Sequence, residues 1–248
     1  MEYAQTLLRK LDPHDNFTAD EKSALLTAPV QLAEVGTGYA VVREGDRPTR
    51  SCLVVNGFVC ASKHTSDGKR QIMSFYISGD IPDLQSLHLG TMDATFETLT
   101  SATLAFIPHI AITNICRDFP RLSSALWHST LVDAAIYRDW ISNVGQRDAI
   151  ARTAHILCEM VQRMNVVGLV ERCKCEFPMS QSELGDALGL SIVHVNRTLQ
   201  KLRKLGLIEL KSKQLEVLDW DRLATLGDFD PTYLHGPLWA DRLGQKIA

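Results

Sequence analysis

From about Gln31 to Pro108 the chain is cut every few residues by a turn signal, and this punctuation constrains the fold more than any other feature. "REGDRP" is one turn, Asn56-Gly57 a second, "SDG" at Ser66–Gly68 a third and "SGDIPD" a fourth. The runs between them are short and roughly alternate apolar with polar residues, the period of a half-buried strand. Asn-Gly and Asp-Gly readily take the positive φ of tight turns, so "SCLVV-NG-FVCAS" and "VCASKH-TSDG-KRQIMSFY" are both expected as β-hairpins. Several short strands at this spacing predict a small antiparallel roll or sandwich.

The flanks are helical. The first ~28 residues read as one or two short helices, broken by "LDPHDN", with Thr18 as the N-cap of "ADEKSALL". After Pro120, "RLSSALWHSTLVDAAIYRDWISNVG" holds no Pro, and no Gly before Gly145. Its Leu126, Trp127, Leu131, Val132, Ile136, Trp140 and Ile141 occupy more than one face, and such a helix must be covered on several sides. One cover expected is the chain's own β-domain and another a second copy of the chain, paired through Leu126, Trp127, Leu131, Ala134 and Ile141; the alternative is a core helix of a monomer. A further helix is expected from about Gln146 to Met164, with Ile150, Ala154, Ile156, Leu157, Met160 and Val161 inward. There follow a strand-like link, "VVGLVERCKCEFPMS", two short helices around a glycine turn, and a hairpin, "LIELKSKQLEVLD". That order is the order of a winged-helix module.

The fold class expected is α+β: an N-terminal antiparallel β-roll of the double-stranded β-helix or jelly-roll type, a long dimerisation helix and a C-terminal winged helix. The divisions fall at 1–28 (helices), 29–118 (roll), 119–145 (long helix), 146–222 (winged helix) and 223–248, a turn-rich tail without an assigned role. A length of 248 residues suits one large or two modest domains. No apolar run approaches the ~20 residues that span a bilayer. The start lacks the apolar stretch of a secretion signal, and six scattered cysteines without a CxxC suit a reducing cytoplasm.

The sharpest local pattern is "MSQSELGDALGLSIVHVNRTLQKLRKLGLIEL". Ser180 and Glu183 have the spacing of a capping box, and Leu184 and Leu188 bury the helix it starts. Gly189 supplies the turn, Ser191 caps the second helix and Gly206 ends it. Val195, Leu199 and Leu202 form its core stripe. The opposite face carries Val193, Arg197, Gln200 and Lys204, with Asn196 and Lys201 flanking and Ile192 and His194 on the borders. Val193 would waste apolar area in water, whereas in a DNA major groove it can pack on a thymine methyl beside an Arg197 that bonds guanine O6 and N7.

Ile192, Val193, His194, Asn196, Arg197 and Gln200 are therefore the candidate base readers. Ser180, Gln181, Ser191, Lys201, Arg203, Lys204, Lys211 and Lys213 are the candidate phosphate contacts. Charge supports this placement. The net charge is −3, yet residues 191–213 hold six Lys or Arg against one acid, Glu209. The 46 residues from Gln71 to Cys116 hold none, and carry Asp80, Asp83, Asp93 and Glu97 instead. The plain alternative is a solvated helix with an incidental valine.

Over roughly residues 30–222 the sequence resembles the Crp–Fnr family of bacterial transcription regulators. The resemblance rests on "REGDRP…LVVNGFV…SDGKRQIMSFYISGD", on the long helix after "FPRL", and most specifically on the helix–turn–helix run. It implies a homodimer with a cyclic-nucleotide-binding-type roll, a long pairing helix, and winged helices in adjacent major grooves of a near-palindromic operator. It also implies RNA polymerase as a partner and gives Arg197 the family's guanine-reading role. The family's usual glutamate, four residues earlier, is Val193 here. A carboxylate there accepts from cytosine N4 and valine cannot, so the family's best-known operators do not transfer.

Cyclic-nucleotide sensors of the family hold the phosphate with an Arg-Ser/Thr pair. Met92 and Asp93 stand near that position here, in a segment without a cation, which disfavours the usual cyclic-nucleotide mode. The Fnr-like branch holds an iron–sulfur centre with N-terminal cysteines, and none precedes Cys52. Cys173 and Cys175, read as one side of a strand, fit ordinary structural thiols better than a metal or redox site, and His88 fits a surface residue better than a ligand. No cofactor or metal is assigned, and an unidentified small-molecule effector stays open. No enzyme motif (GxSxG, HExxH, GxGxxG or a P-loop) occurs. A ligand-sensing module acting through protein contacts is the alternative function, although such a partner does not require the basic residues.

Overall fold

The residues described in the computed structural model, 2–12 and 16–236, fall into two units that divide between Ala134 and Ala135. The first opens with α1 (Glu2–Leu11) and α2 (Ala19–Leu26). Thr18 and Glu21 form a reciprocal capping box at the start of α2. Seven strands follow: β1 (Gln31–Val35), β2 (Ala40–Val42), β3 (Arg50–Asn56), β4 (Val59–His64), β5 (Arg70–Tyr76), β6 (Thr95–Thr98) and β7 (Ala102–Pro108). They form two antiparallel sheets, ordered β1-β7-β3 and β2-β6-β4-β5. Strand alternation decides which core each residue joins. Cys52, Val54, Leu104 and Phe106 face Val59, Tyr76, Met92 and Phe96 inside the roll. Leu53, Val55, Ala105 and Ile107 join Tyr3, Leu7, Leu25 and Ile112 in a second core.

The β4–β5 hairpin is present, with one register shift between Ala61 and Ser62. The expected β3–β4 hairpin is not. β3 pairs with β7, and β4 pairs with β5 and β6, so Asn56-Gly57 is a corner between sheets. Gly57 has φ 96°, and a Cβ there would stand 2.7 Å from Ala102 Cβ and 2.8 Å from the Ser101 carbonyl oxygen. The glycine was legible as a turn; the partner strand, some fifty residues away, was not.

Next come α3 (His109–Asp118), which the sequence reading missed, and α4 (Pro120–Gln146), which carries the chain into the second unit. Leu126, expected as a pairing residue, is 7% exposed and packs in its own unit's core with Leu122 and Leu7, so it is not available to a partner. Trp127 (68%) and Leu131 (53%) are exposed, Ala134 is half-buried, and Ile141 in the second unit is 73% exposed.

Asp83 is buried in the first unit, and its Oδ1 accepts from the Cys52 backbone N–H at 2.7 Å. Burial pushes its carboxyl up to about 7, against the opposing pull of that hydrogen bond and of Arg50. The folded state therefore binds this proton more tightly than the unfolded chain. The resulting stabilisation is full below about pH 4 and lost as pH rises towards about 7. Asp83→Asn keeps an acceptor for Cys52, so urea denaturation from pH 4 to 8 should show a smaller fall in stability than the parent; parallel curves would contradict this.

In the second unit, Asp148 caps α5 (Ala149–Val166), accepting from the Ile150 and Ala151 N–H groups at 2.9 Å each. Then come β8 (Lys174–Glu176), α6 (Gln181–Leu188), α7 (Ile192–Lys204), β9 (Ile208–Lys211), β10 (Gln214–Val217) and α8 (Trp220–Leu226). The three strands form one antiparallel sheet, ordered β8-β10-β9. The strand-like link shrinks to β8 alone. Arg172 and Cys173 sit in a tight turn at φ 49° and 63°, so Cys173 does not share a strand side with buried Cys175.

The expected tail is partly built. Its first residues belong to α8, Pro231–Leu234 form a 3-10 turn, and 237–248 lie outside the described residues. This end covers a buried polar cluster on α5. Both ring nitrogens of fully buried His155 have polar partners: Nδ1 lies 3.1 Å from the Gly227 carbonyl oxygen, and Nε2 lies 3.2 Å from the Tyr233 hydroxyl oxygen. Asp139 Oδ2 lies 2.6 Å from His155 Nε2, without hydrogen-bond alignment. Glu159, also fully buried, accepts from Trp140 Nε1 (2.9 Å), Tyr233 Oη (2.8 Å) and an Arg163 guanidinium nitrogen (3.1 Å). Burial and the Glu159 charge push the Tyr233 phenol well above its ordinary value, so it stays a donor.

Candidate nucleic-acid interface

Local chemistry builds this site. Ser180 Oγ accepts from the Glu183 N–H (3.2 Å), and Glu183 Oε2 accepts from the Ser180 N–H (2.6 Å), closing the capping box of α6. Gly189 ends α6 in the left-handed region at φ 64°, and Ser191 Oγ accepts from the His194 N–H at the start of α7. Val195, Leu199 and Leu202, each at most 1% exposed, turn inward. Thr198 is buried as well, its hydroxyl 3.2 Å from that of Thr153 on α5. The long helix α5 therefore fixes the rotation of α7 about its own axis, and with it the face left outside.

That outer face carries the expected residues. Ile192 (54%) and Val193 (62%) are exposed large apolar side chains, and His194, Arg197, Gln200, Lys201, Arg203 and Lys204 are exposed around them. Lys211 and Lys213 stand exposed at the tip of the β9–β10 hairpin, where Ser212 (φ 51°) and Lys213 (φ 62°) make a two-residue turn of the kind that suits a hairpin's twist. None of Arg197, Lys201, Arg203, Lys204, Lys211 and Lys213 forms an ion pair with another described residue. His194, Arg197, Thr198 and Lys201 also line a cleft of about 280 Å³ with Asp148, Ala149 and Ile150. Six cations without an ion-pair partner among the described residues, near a solvent-facing apolar strip, can hold a polyanion while an apolar contact is made.

One pair departs from the expectation of independent contacts. Asn196 is half-buried, and its Nδ2 donates to Gln181 Oε1 across 3.1 Å. This coupling has no local signature, since the two residues lie fifteen positions apart on different helices.

The roll's residues can be placed too. Met92 is 2% exposed and packs inside the roll with Tyr76 and Phe96. Its thioether cannot pair a phosphate. The segment itself holds no Lys or Arg, but Lys63 of β4 brings its Nζ to 4.0 Å from Asp93 Oδ2. Strand pairing delivers that lysine, which is why scanning the segment itself missed it. His88 is exposed at the end of a 3-10 turn, Leu84–Leu87. Among the described residues no group of three or more His, Cys, Asp or Glu could hold a metal ion, and no helix is long and apolar enough to cross a membrane.

Residues 33–119 match the cyclic nucleotide-binding domain, and residues 151–226 match the Crp-like helix-turn-helix domain. The chain is 25% identical over 205 residues to the nitrogen fixation regulation protein FixK of Rhizobium meliloti, covering 82% of this chain and 90% of that protein. It is 22% identical over 217 residues to the fumarate and nitrate reduction regulatory protein of Salmonella typhimurium, covering 88% and 82%. The solved structure of FixK2 from Bradyrhizobium japonicum superposes with a TM-score of 0.73 at 24% identity, over 80% of this chain and 97% of that one, a likeness of fold.

Proposed function

The chain belongs to the Crp–Fnr family of transcription regulators, and from that premise we propose that it acts in the cytoplasm as a homodimer on a palindromic operator. Each α7 enters a major groove, and the two grooves lie one helical turn apart on one side of the duplex. Arg197 donates to guanine O6 and N7, and Val193 packs on a thymine methyl. Ser180, Gln181, Ser191, Lys201, Arg203, Lys204, Lys211 and Lys213 serve the phosphates, and RNA polymerase is the downstream partner. The observation that carries this reading is the outer face of α7: Val193 is 62% exposed one turn before an Arg197 that no described residue pairs. Trp127, Leu131, Ala134 and Ile141 remain the candidates for pairing the subunits.

Control by cyclic AMP in the family's usual mode is not part of this reading. Met92, aligned near the place of the family's phosphate-binding arginine, is an apolar side chain packed inside the roll, and Asp93 lies 4.0 Å from Lys63 Nζ. An N-terminal iron–sulfur centre is left out because no cysteine precedes Cys52. The effector, if one acts, is another small molecule.

A salt titration separates this reading from a module that uses its helices for protein contacts. If phosphates are bound, log affinity for duplex DNA falls linearly and steeply with log salt; a weak, salt-insensitive interaction would contradict it. Val193 supplies a finer test. Selection of bound duplexes by Val193→Glu should replace the preferred base pair at one half-site position with one that presents cytosine N4 to the carboxylate. An unchanged motif would remove Val193 from the reading surface.

A further inference from the structure

Asparagine is a poor choice for the middle of a helix, because its amide competes with the backbone for hydrogen bonds. Asn196 nonetheless sits in the interior of α7, among the exposed residues of the outer face. Its amide is not left to rotate. Gln181, the first residue of α6, places Oε1 3.1 Å from Asn196 Nδ2. An amide oxygen only accepts, so this contact turns the NH2 group of Asn196 towards α6 and fixes a side-chain torsion that is otherwise broad. The bond is not needed to hold the two helices together, since Leu184, Leu188, Val195 and Leu199 are already at most 1% exposed between them.

What remains on Asn196 is chemically specific. One N–H is used by Gln181, and no other described residue takes the second N–H or Oδ1; with Gln181 on the N–H that points away from Oδ1, these two groups lie side by side on one planar edge. In the major groove adenine offers the N7 acceptor and the N6 donor as a matching pair. Guanine offers two acceptors, cytosine one donor, and thymine an acceptor beside a methyl group.

We propose that Gln181 is a positioning residue for base recognition, holding the Asn196 amide so that it reads an adenine in each half-site. The proposal rests on the DNA-binding reading above, and it moves Gln181 from the phosphate contacts to the support of a base reader.

The test compares affinities for duplexes that carry each base in turn at every half-site position. Asn196→Ala should cut the preference for adenine at one position by about fivefold or more, the scale of a good bidentate contact. Gln181→Ala should cut the preference at that same position, leave the other positions unaltered, and add nothing further when combined with Asn196→Ala. Gln181→Glu keeps an acceptor for Nδ2, so it should retain the adenine preference even as its charge lowers affinity for every duplex. A helix–helix contact with no part in reading would leave the base profile of Gln181→Ala unmoved, and that result overturns the positioning role alone. A base other than adenine at the position lost in Asn196→Ala, or no position lost at all, overturns the assignment of Asn196. Absence of sequence preference in the parent protein is the distinct outcome that overturns the DNA reading beneath it.

Discussion

Glu159→Ala is expected to lower the stability of the second unit by ~3–5 kcal/mol, the scale for removing one member of a buried ion pair. Glu159 is fully buried and accepts from three side chains that arrive from different directions: Trp140 on α4, Arg163 on α5, and Tyr233 beyond α8. Alanine removes the shared acceptor and takes away the carboxylate that faces the buried Arg163 guanidinium. Glu159→Gln keeps an oxygen for Trp140 and Tyr233 and loses the charge, so its cost should be smaller. Guanidinium denaturation followed by Trp fluorescence checks both. A Glu159→Ala midpoint equivalent to less than about 1 kcal/mol would mean that the cluster is well satisfied without its carboxylate.

Arg197→Ala should weaken operator binding by about 1–3 kcal/mol and relax base choice at one half-site position. Two features set this apart from the loss of any surface charge. Arg197 has no ion-pair partner among the described residues, so its guanidinium is available to a base without first breaking a contact. Its backbone is also held, because Thr198 next to it is buried and meets Thr153. Titration of labelled duplexes carrying single base changes separates the two components. Affinity and base profile both intact would show that α7 is not the reading helix.

Legibility from sequence followed the range of the interactions involved. The N-cap at Thr18, the capping box at Ser180, the turn at Gly189 and the inward stripe of Val195, Leu199 and Leu202 depend on neighbours a few residues away and were legible; the reciprocal Glu21 bond at Thr18 and the left-handed backbone of Gly189 came only with the structure. The β4–β5 hairpin was readable for the same reason. The pairing of β3 with β7 was not, since alternation gives a strand's faces and says nothing about which edge it meets. Leu126 was misplaced because apolar periodicity shows which side of a helix needs cover without showing that α1 and the roll's outer core supply it.

At the site, the cations and Val193 were legible because charge and apolar area stand out on a helical wheel. The Gln181–Asn196 bond and the Lys63–Asp93 contact were not, as each joins side chains on different elements. The segment beyond α8 looked like loop, yet its Tyr233 reaches the polar cluster on α5; aromatic residues scattered among turn formers carry no period to read.

Selection of bound duplexes from a random pool by the intact protein tests the central claim most directly. The result expected is enrichment of two inverted half-sites whose centres lie about 10–10.5 base pairs apart, each with a guanine at the Arg197 position. A single unpaired half-site, or a pool that stays unenriched after repeated rounds, would contradict it.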